Sequence, residues 1–484
     1  MSASAPTFPP FAYDRLRIPA AAFEVLFYLA IIAAASLAFV VGWLTVNGAV
    51  VLTVLLLISL IVLSWIHLGQ GRHPVFLFLC TLTLFQGGRL LAYCLGGIAY
   101  PLQVQLMQDD PFSIGRMNEG IVLLCLALSA ICLYAPCRWN YSPFPPPNTR
   151  EVRQYLPYLY LLFLVSLPIQ LYKNYMYYQW AQQHGGYASI YINHASLAAS
   201  VPFFVRVIPI ISFPVFVIIF VIEHRKWLAY TVAALYFGAA SFVLLLGSRG
   251  AIFGLLVSLW YIARIKTTRR TRIVLTLLFA ISLLLLADAI RRNREEITES
   301  ESPLTVAELL NLQGISIDVL SAVVAYRPYF APYAWNYPLS DLKVAFLAVD
   351  TAHYQRGVNL SFDVPVLLNT ALFNLGSGTA GSYIAESYAL GELTGVVIFS
   401  VLVGFGLHAL RALSRSALGL AMVAMMLPDI VRMPRGGLLD WVSVLVRNGL
   451  SVLLIFVGWR CYTVLTGIRT QNVRQASSPG RLAT

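Results

Sequence analysis

The fold class this sequence predicts is an all-α polytopic membrane protein with about twelve transmembrane helices. Three observations predict it. The 484 residues are 59% hydrophobic and 11% charged, with a mean hydropathy of +0.74, far from the balance of a soluble domain. The apolar residues gather into repeated runs of roughly 20, the length an α-helix needs to cross hydrocarbon. The basic residues behind the formal charge of +12 punctuate those runs, so they read as a topology signal and not as a nucleic-acid-binding face.

The elements follow in order. Residues 21–41 come after Arg15 and Arg17, as in a signal peptide, but the run is longer than a cleavable apolar core and 45–66 follows almost directly, so it reads as an uncleaved first helix. Spans are then expected near 74–97, 119–136, 155–172, 202–222, 228–246, 251–265 and 273–290, and again near 392–410, 416–431 and 441–461. The chain thus divides into 1–290 with nine spans, a large external loop at 291–391, three further spans in 392–466, and a Ser-, Gly-, Gln- and Arg-rich tail at 467–484. The external segment combines mixed charge (Arg291 to Glu301) with an aromatic, proline-containing stretch (Tyr326 to Pro338) and reads as folded. Cys80, Cys94, Cys125 and Cys132 fall inside apolar runs, and Cys137 and Cys461 at the ends of others, with no disulfide framework.

Orientation follows from the basic residues. With both termini cytoplasmic, 19 of the 33 Lys and Arg fall inside, 11 outside and 3 within spans. Six of the outer eleven lie in 291–391, and a long segment translocates whatever its charge, so the comparison that matters is 19 against 5.

The outer arginines depart from that rule. Arg89, Arg206 and Arg447 lie in the outer halves of predicted spans, where an arginine costs at least ~2.5 kcal/mol at the centre. Snorkelling accounts for Arg206 and Arg447 as readily as function does, and less readily for Arg89, which follows Gly87 and Gly88. Gly247-Ser248-Arg249-Gly250 joins two spans, and the helix after it would extend only about 22 Å against a core of about 30 Å. Ser248 would cap that helix and Arg249 would flank its positive end in a recessed, anion-binding geometry, although a plain tight turn has the same sequence. Arg432-Met433-Pro434-Arg435-Gly436-Gly437 repeats the arrangement. Arg291, Arg292 and Arg294 emerge outside after the ninth span, unless Glu295, Glu296, Glu299 and Glu301 neutralise them locally. Together these residues outline an outward-facing cationic cavity suited to a lipid-linked phosphate or diphosphate.

Sugar transfer to a hydroxyl also needs a base. The outer-side candidates are Asp350, His353, Asp363 and Glu386. Glu386 comes first, because it sits just before the tenth predicted span, where a carboxylate is desolvated; His353 comes second, in a polar and aromatic stretch. No HExxH, Walker or GxSxG pattern occurs, and the acidic pair Asp109-Asp110 falls in an external loop. No metal and no cofactor are expected.

Gly247-Ser248-Arg249-Gly250 opening a helix, the late external loop, and Gly381-Ser382-Tyr383-Ile384-Ala385-Glu386-Ser387-Tyr388-Ala389-Leu390-Gly391-Glu392 entering an apolar helix resemble bacterial O-antigen and oligosaccharide repeat-unit polymerases of the Wzy type. The resemblance implies a glycosyltransferase-C-like enzyme of the Gram-negative inner membrane. It would join undecaprenyl-diphosphate-linked oligosaccharides, donor and acceptor alike, at the periplasmic face, without metal or nucleotide sugar, with membrane lipid and a chain-length regulator as partners. By position Arg249 matches the family's helix-opening arginine; Arg89, Arg291, Arg292, Arg432 and Arg435 join it through topology. An O-antigen ligase shares these features, and about twelve spans also suit a lipid-linked oligosaccharide flippase.

Overall fold

A segment in hydrocarbon must satisfy its own backbone hydrogen bonds, and the apolar runs accordingly form helices. The computed structural model describes residues 10–98, 100, 102–104, 112–139, 141–142, 147–149, 152–184, 194–245, 250–266, 305–346, 356–368 and 381–465. These are helical almost throughout, apart from a short ribbon pairing Gln103–Val104 with Phe112–Ser113. The principal helices are α1 (Pro10–Val41), α2 (Val46–His67), α3 (Pro74–Phe85), α4 (Gly88–Cys94), α5 (Arg116–Trp139), α6 (Leu156–Gln183), α7 (Pro209–Ile222), α8 (Lys226–Leu245) and α9 (Gly250–Lys266). There follow α10 (Val306–Gln313), α11 (Ser316–Ala325), α12 (Asn336–Phe346), α13 (Leu360–Leu368), α14 (Tyr383–Leu413), α15 (Ala417–Ile430) and α16 (Asp440–Leu465).

Among the described residues eight helices are long and apolar enough to cross a membrane, or ten if each of two bent pairs is one span. The expected twelve are therefore met only in part among the described residues. The predicted span 273–290 lies outside the described residues, and the span expected at 74–97 is not one helix: α3 and α4 meet at 65°. Helices α8 and α9 stand at the positions expected for 228–246 and 251–265, beyond the eight. All six cysteines are free thiols.

The second bent pair, α10 and α11 at 46°, lies in the segment expected to be an external loop. Its second half is no surface loop, since Ser316 to Val324 are buried against α5 and α14. The two breaks face each other. A Cβ on Gly88 would come within 2.6 Å of the Leu310 carbonyl, so only glycine lets the backbones approach this closely. Beside the crossing, the Arg89 guanidinium pairs with Asp318, both buried.

Helix α14 packs extensively on α5. Tyr383 bonds to Ser129 of α5 inside that interface, and Ser400 Oγ donates to Ser129 Oγ at 3.2 Å. Ser382 caps α14 by accepting from Ala385 N at 3.3 Å. The helix is interrupted at Gly391 and Glu392, the latter with φ 53° and ψ −141°, so a short N-terminal segment carrying Glu386 is set at an angle to the long apolar one. Arg327 holds the interruption through an ion pair with Glu392 at 3.0 Å.

Candidate active site

The connection from α15 to α16, Arg432 to Asp440, is the centre on which the site converges. Met433–Arg435 form a 3-10 turn and leave the next N–H groups directed at carboxylates. Leu438 N–H donates to Glu386 Oε2 at 2.8 Å, Gly437 N–H donates to Asp440 Oδ2 at 2.6 Å, and Leu439 N–H donates to Asp341 of α12. Three carboxylates surround one glycine: a Cβ on Gly437 would lie 2.6 Å from Asp341 Oδ2, 3.1 Å from Glu386 Oε1 and 3.2 Å from Asp440 Oδ1. The peptide backbone occupies the middle of the cluster, and among the described residues no group of three or more His, Cys, Asp and Glu is arranged to hold a metal ion. Burial, then the neighbouring Asp440 and Glu386, raise the Asp341 carboxyl to about 9.

The two broken helices supply the other wall. Gln86, buried at the end of α3, donates to Ser382 Oγ at 2.9 Å and to the Pro434 carbonyl. Gln313, at the end of α10, accepts from Arg435 Nη1 at 3.0 Å, while the Arg435 guanidinium lies 5.6 Å from the centroid of the Phe85 ring. One loop therefore holds a buried carboxylate from α14 and a guanidinium seated between the ends of α3 and α10. Below it is a cavity of about 580 Å³, lined almost entirely by apolar groups including Trp335, Leu339, Phe399, Leu402, Met433 and Leu438. It runs along α14 from this loop as far as Leu410.

The family model of the O-antigen polysaccharide polymerase Wzy matches residues 22–464. The chain belongs to the Wzy O-antigen polymerase family. No match was found among curated proteins or among solved structures. As a Wzy protein it is a multi-pass membrane polymerase of the glycosyltransferase type, acting on lipid-linked oligosaccharide repeat units.

Of the residues singled out in the sequence, the structure brings Glu386 of α14 against the loop that carries Arg435. Arg432 stands on that loop too but is exposed and paired with Asp429. Arg89 is one bend away from Gln86 and is ion-paired with Asp318. Asp363 is buried and accepts from Tyr337 Oη and Gly357 N, each at 2.8 Å, which makes it a strut for the 356–363 turn. Arg206 and Arg447 are exposed. Arg249, Arg291, Arg292, Arg294, His353, Asp350, Asp109 and Asp110 lie outside the described residues. Sequence reasoning missed Gln86, Gln313 and Asp341. A glutamine inside the apolar run 74–97 was a usable signal for the first; nothing in the order of residues marks the other two.

Proposed function

We propose that this Wzy protein lengthens its polysaccharide at the periplasmic face, moving the growing glycan from undecaprenyl diphosphate to the terminal sugar hydroxyl of a new lipid-linked repeat. The observation that carries the proposal is that Glu386 of α14 and Arg435 meet at one loop beside a long apolar cavity. The acceptor hydroxyl attacks the anomeric carbon, its proton passes to Glu386, and the bond from that carbon to the diphosphate oxygen breaks. Arg435 and, from the undescribed segments, Arg249, Arg291 and Arg292 stabilise the departing diphosphate, with Arg432 at the rim, and no metal or nucleotide sugar takes part. Arg89 contributes through the fixed bend that seats Gln86. The cavity of about 580 Å³ takes the first isoprene units of the lipid, whose only strong interaction is burial of apolar surface. His353 is the other base to be tested.

The test is purified protein in lipid, supplied with a defined undecaprenyl-diphosphate repeat and EDTA. Elongation of glycan that stays on the lipid diphosphate is expected. Glu386→Gln should reduce the rate at least a hundredfold, the scale of a lost general base, with repeat-unit binding intact. Failure of the native protein to elongate, transfer to lipid A core instead, or normal rates from the Glu386 variant would each overturn the corresponding part of the proposal.

A further inference from the structure

Helices α3 and α14 meet at the candidate active site through Gln86 and Ser382, and they meet again at their opposite ends. Helix α3 extends about 18 Å from Pro74 to Phe85, and α14 runs about 37 Å from Glu386 to Arg411 along its two segments. At this far end His73 and His408 stack with ring centroids 5.9 Å apart. The titratable groups beside His73 are Arg411 and His408, those beside His408 are Arg411 and Arg415, and Arg72 stands beside Arg411. Arg264 of α9 closes the group, its guanidinium 4.2 Å from the Trp65 ring centroid and 5.1 Å from that of Trp260.

Two features set this cluster apart from the ordinary basic flank of a membrane span. The first is burial. A topology arginine is exposed so that it can reach the headgroups, as Arg225 and Arg415 are exposed, whereas His73 and Arg264 are 0% exposed and Arg411 is 3% exposed. The second is an unanswered donor. His73 caps α3 by accepting from Val75 N through Nδ1 at 3.2 Å, which puts the proton of the neutral ring on Nε2. That buried Nε2–H has no acceptor among the described residues, and neither has the buried Nε–H of Arg72. Buried donors are normally satisfied, and two beside gathered guanidinium groups call for an anionic acceptor with several oxygens.

The loop between α2 and α3 is shaped around this point. Gly69, Gln70 and Gly71 take φ values of 79°, 56° and 82°, and a Cβ on Gly71 would lie 3.0 Å from Arg264 Nη2. Left-handed backbone at three successive positions, two of them glycine, lets the loop fold against Arg264 and Tyr141.

We propose that Arg72, His73, Arg264, His408 and Arg411 form a binding site for a phosphate group at the end of the protein opposite Glu386. The phosphate oxygens accept from His73 Nε2–H and Arg72 Nε–H, and the guanidinium groups of Arg264 and Arg411 balance its charge beside His408. The same chemistry is offered by the headgroup of an anionic phospholipid and by free phosphate.

The full chain in phosphatidylcholine nanodiscs, titrated with inorganic phosphate in one arm and prepared with increasing phosphatidylglycerol in the other, distinguishes these sources. A rise in thermal midpoint is expected in at least one arm: with phosphate if the site is open to water, with phosphatidylglycerol alone if it takes a headgroup. Arg72→Gln and His408→Gln, both at half-buried positions, should each raise the concentration needed, Arg72→Gln by about tenfold, the scale of one charge-assisted hydrogen bond. Arg225→Gln, at an exposed position, should leave the response unchanged. No shift in either arm, or the same response from the native chain and both cluster variants, overturns the proposal.

Discussion

The two ends of the α3 and α14 pair treat charge in different ways. At the Glu386 end, arginines meet carboxylates, Arg89 with Asp318, Arg327 with Glu392 and Arg432 with Asp429, and the carboxylates gathered around Gly437 each accept from a backbone N–H, as Glu386 does from Leu438. At the His73 end, buried cations gather around each other. Counting basic residues on each side of a membrane treats every arginine alike, but burial and partners separate those that orient the chain from those that build a site. The arginines expected on the outer side drew notice because they break the topology rule, yet two of those described, Arg89 and Arg432, are held in ion pairs. The arginines expected on the inner side obey the rule, and a buried cluster lies among them.

This contrast can be broken experimentally, and the Arg89 pair carries the largest expected effect on stability. Arg89→Gln leaves Asp318 charged and buried, which should cost 3–5 kcal/mol by the usual scale for a broken buried pair. Combining Arg89→Met with Asp318→Leu should restore most of it in a denaturation assay, whereas a double variant as unstable as the single one would mean that the pair does more than neutralise itself. Next comes Gly437→Ala. Its methyl would intrude on Asp341, Glu386 and Asp440, with an expected loss of about 1–3 kcal/mol and a larger fall in elongation, because the Leu438 contact to Glu386 moves with the loop.

The Asp341 carboxyl gives a sharper signature of the acidic end. Its folded pKa is raised from an ordinary 3.8 to about 9, so the folded state binds the proton more tightly than the unfolded state does. The stability it lends is present at low pH and is lost as pH rises through that window. The thermal midpoint should therefore fall between about pH 5 and 9, and Asp341→Asn, which stays neutral, should flatten that slope. The smallest effect belongs to Arg432→Gln. An exposed pair contributes at most about 1 kcal/mol, so stability should hardly change, and a rise in the KM for the lipid-linked repeat without a change in kcat would place Arg432 at the rim of donor binding.

The structure also shows how far a one-dimensional reading extends. Glu386 was legible because a carboxylate just before a long apolar run is unusual. Arg435 was legible because an arginine after a span on the outer side is unusual. That the loop carrying Arg435 packs against Glu386 was not legible, since the bond from Leu438 to Glu386 joins residues 52 positions apart and the bond from Gln86 to Ser382 joins residues 296 apart. The bend in the run 74–97 escaped notice because hydropathy averages over a break, while Gly87 and Gly88 mark it only once Leu310 is known to pass beside them.

The sequence by itself determined that this protein is a bundle of apolar helices in a membrane, because hydrocarbon admits no other solution for runs of this length. It also carried the family resemblance that the match over residues 22–464 bears out. Only the tertiary structure decided that two bent helix pairs cross at Gly88, that Asp341 joins Glu386 around Gly437, and that His73 meets His408 and Arg411 at the other end. Such contacts depend on which helix faces pack together, and faces are chosen by steric fit between distant segments, a property no window along the chain contains.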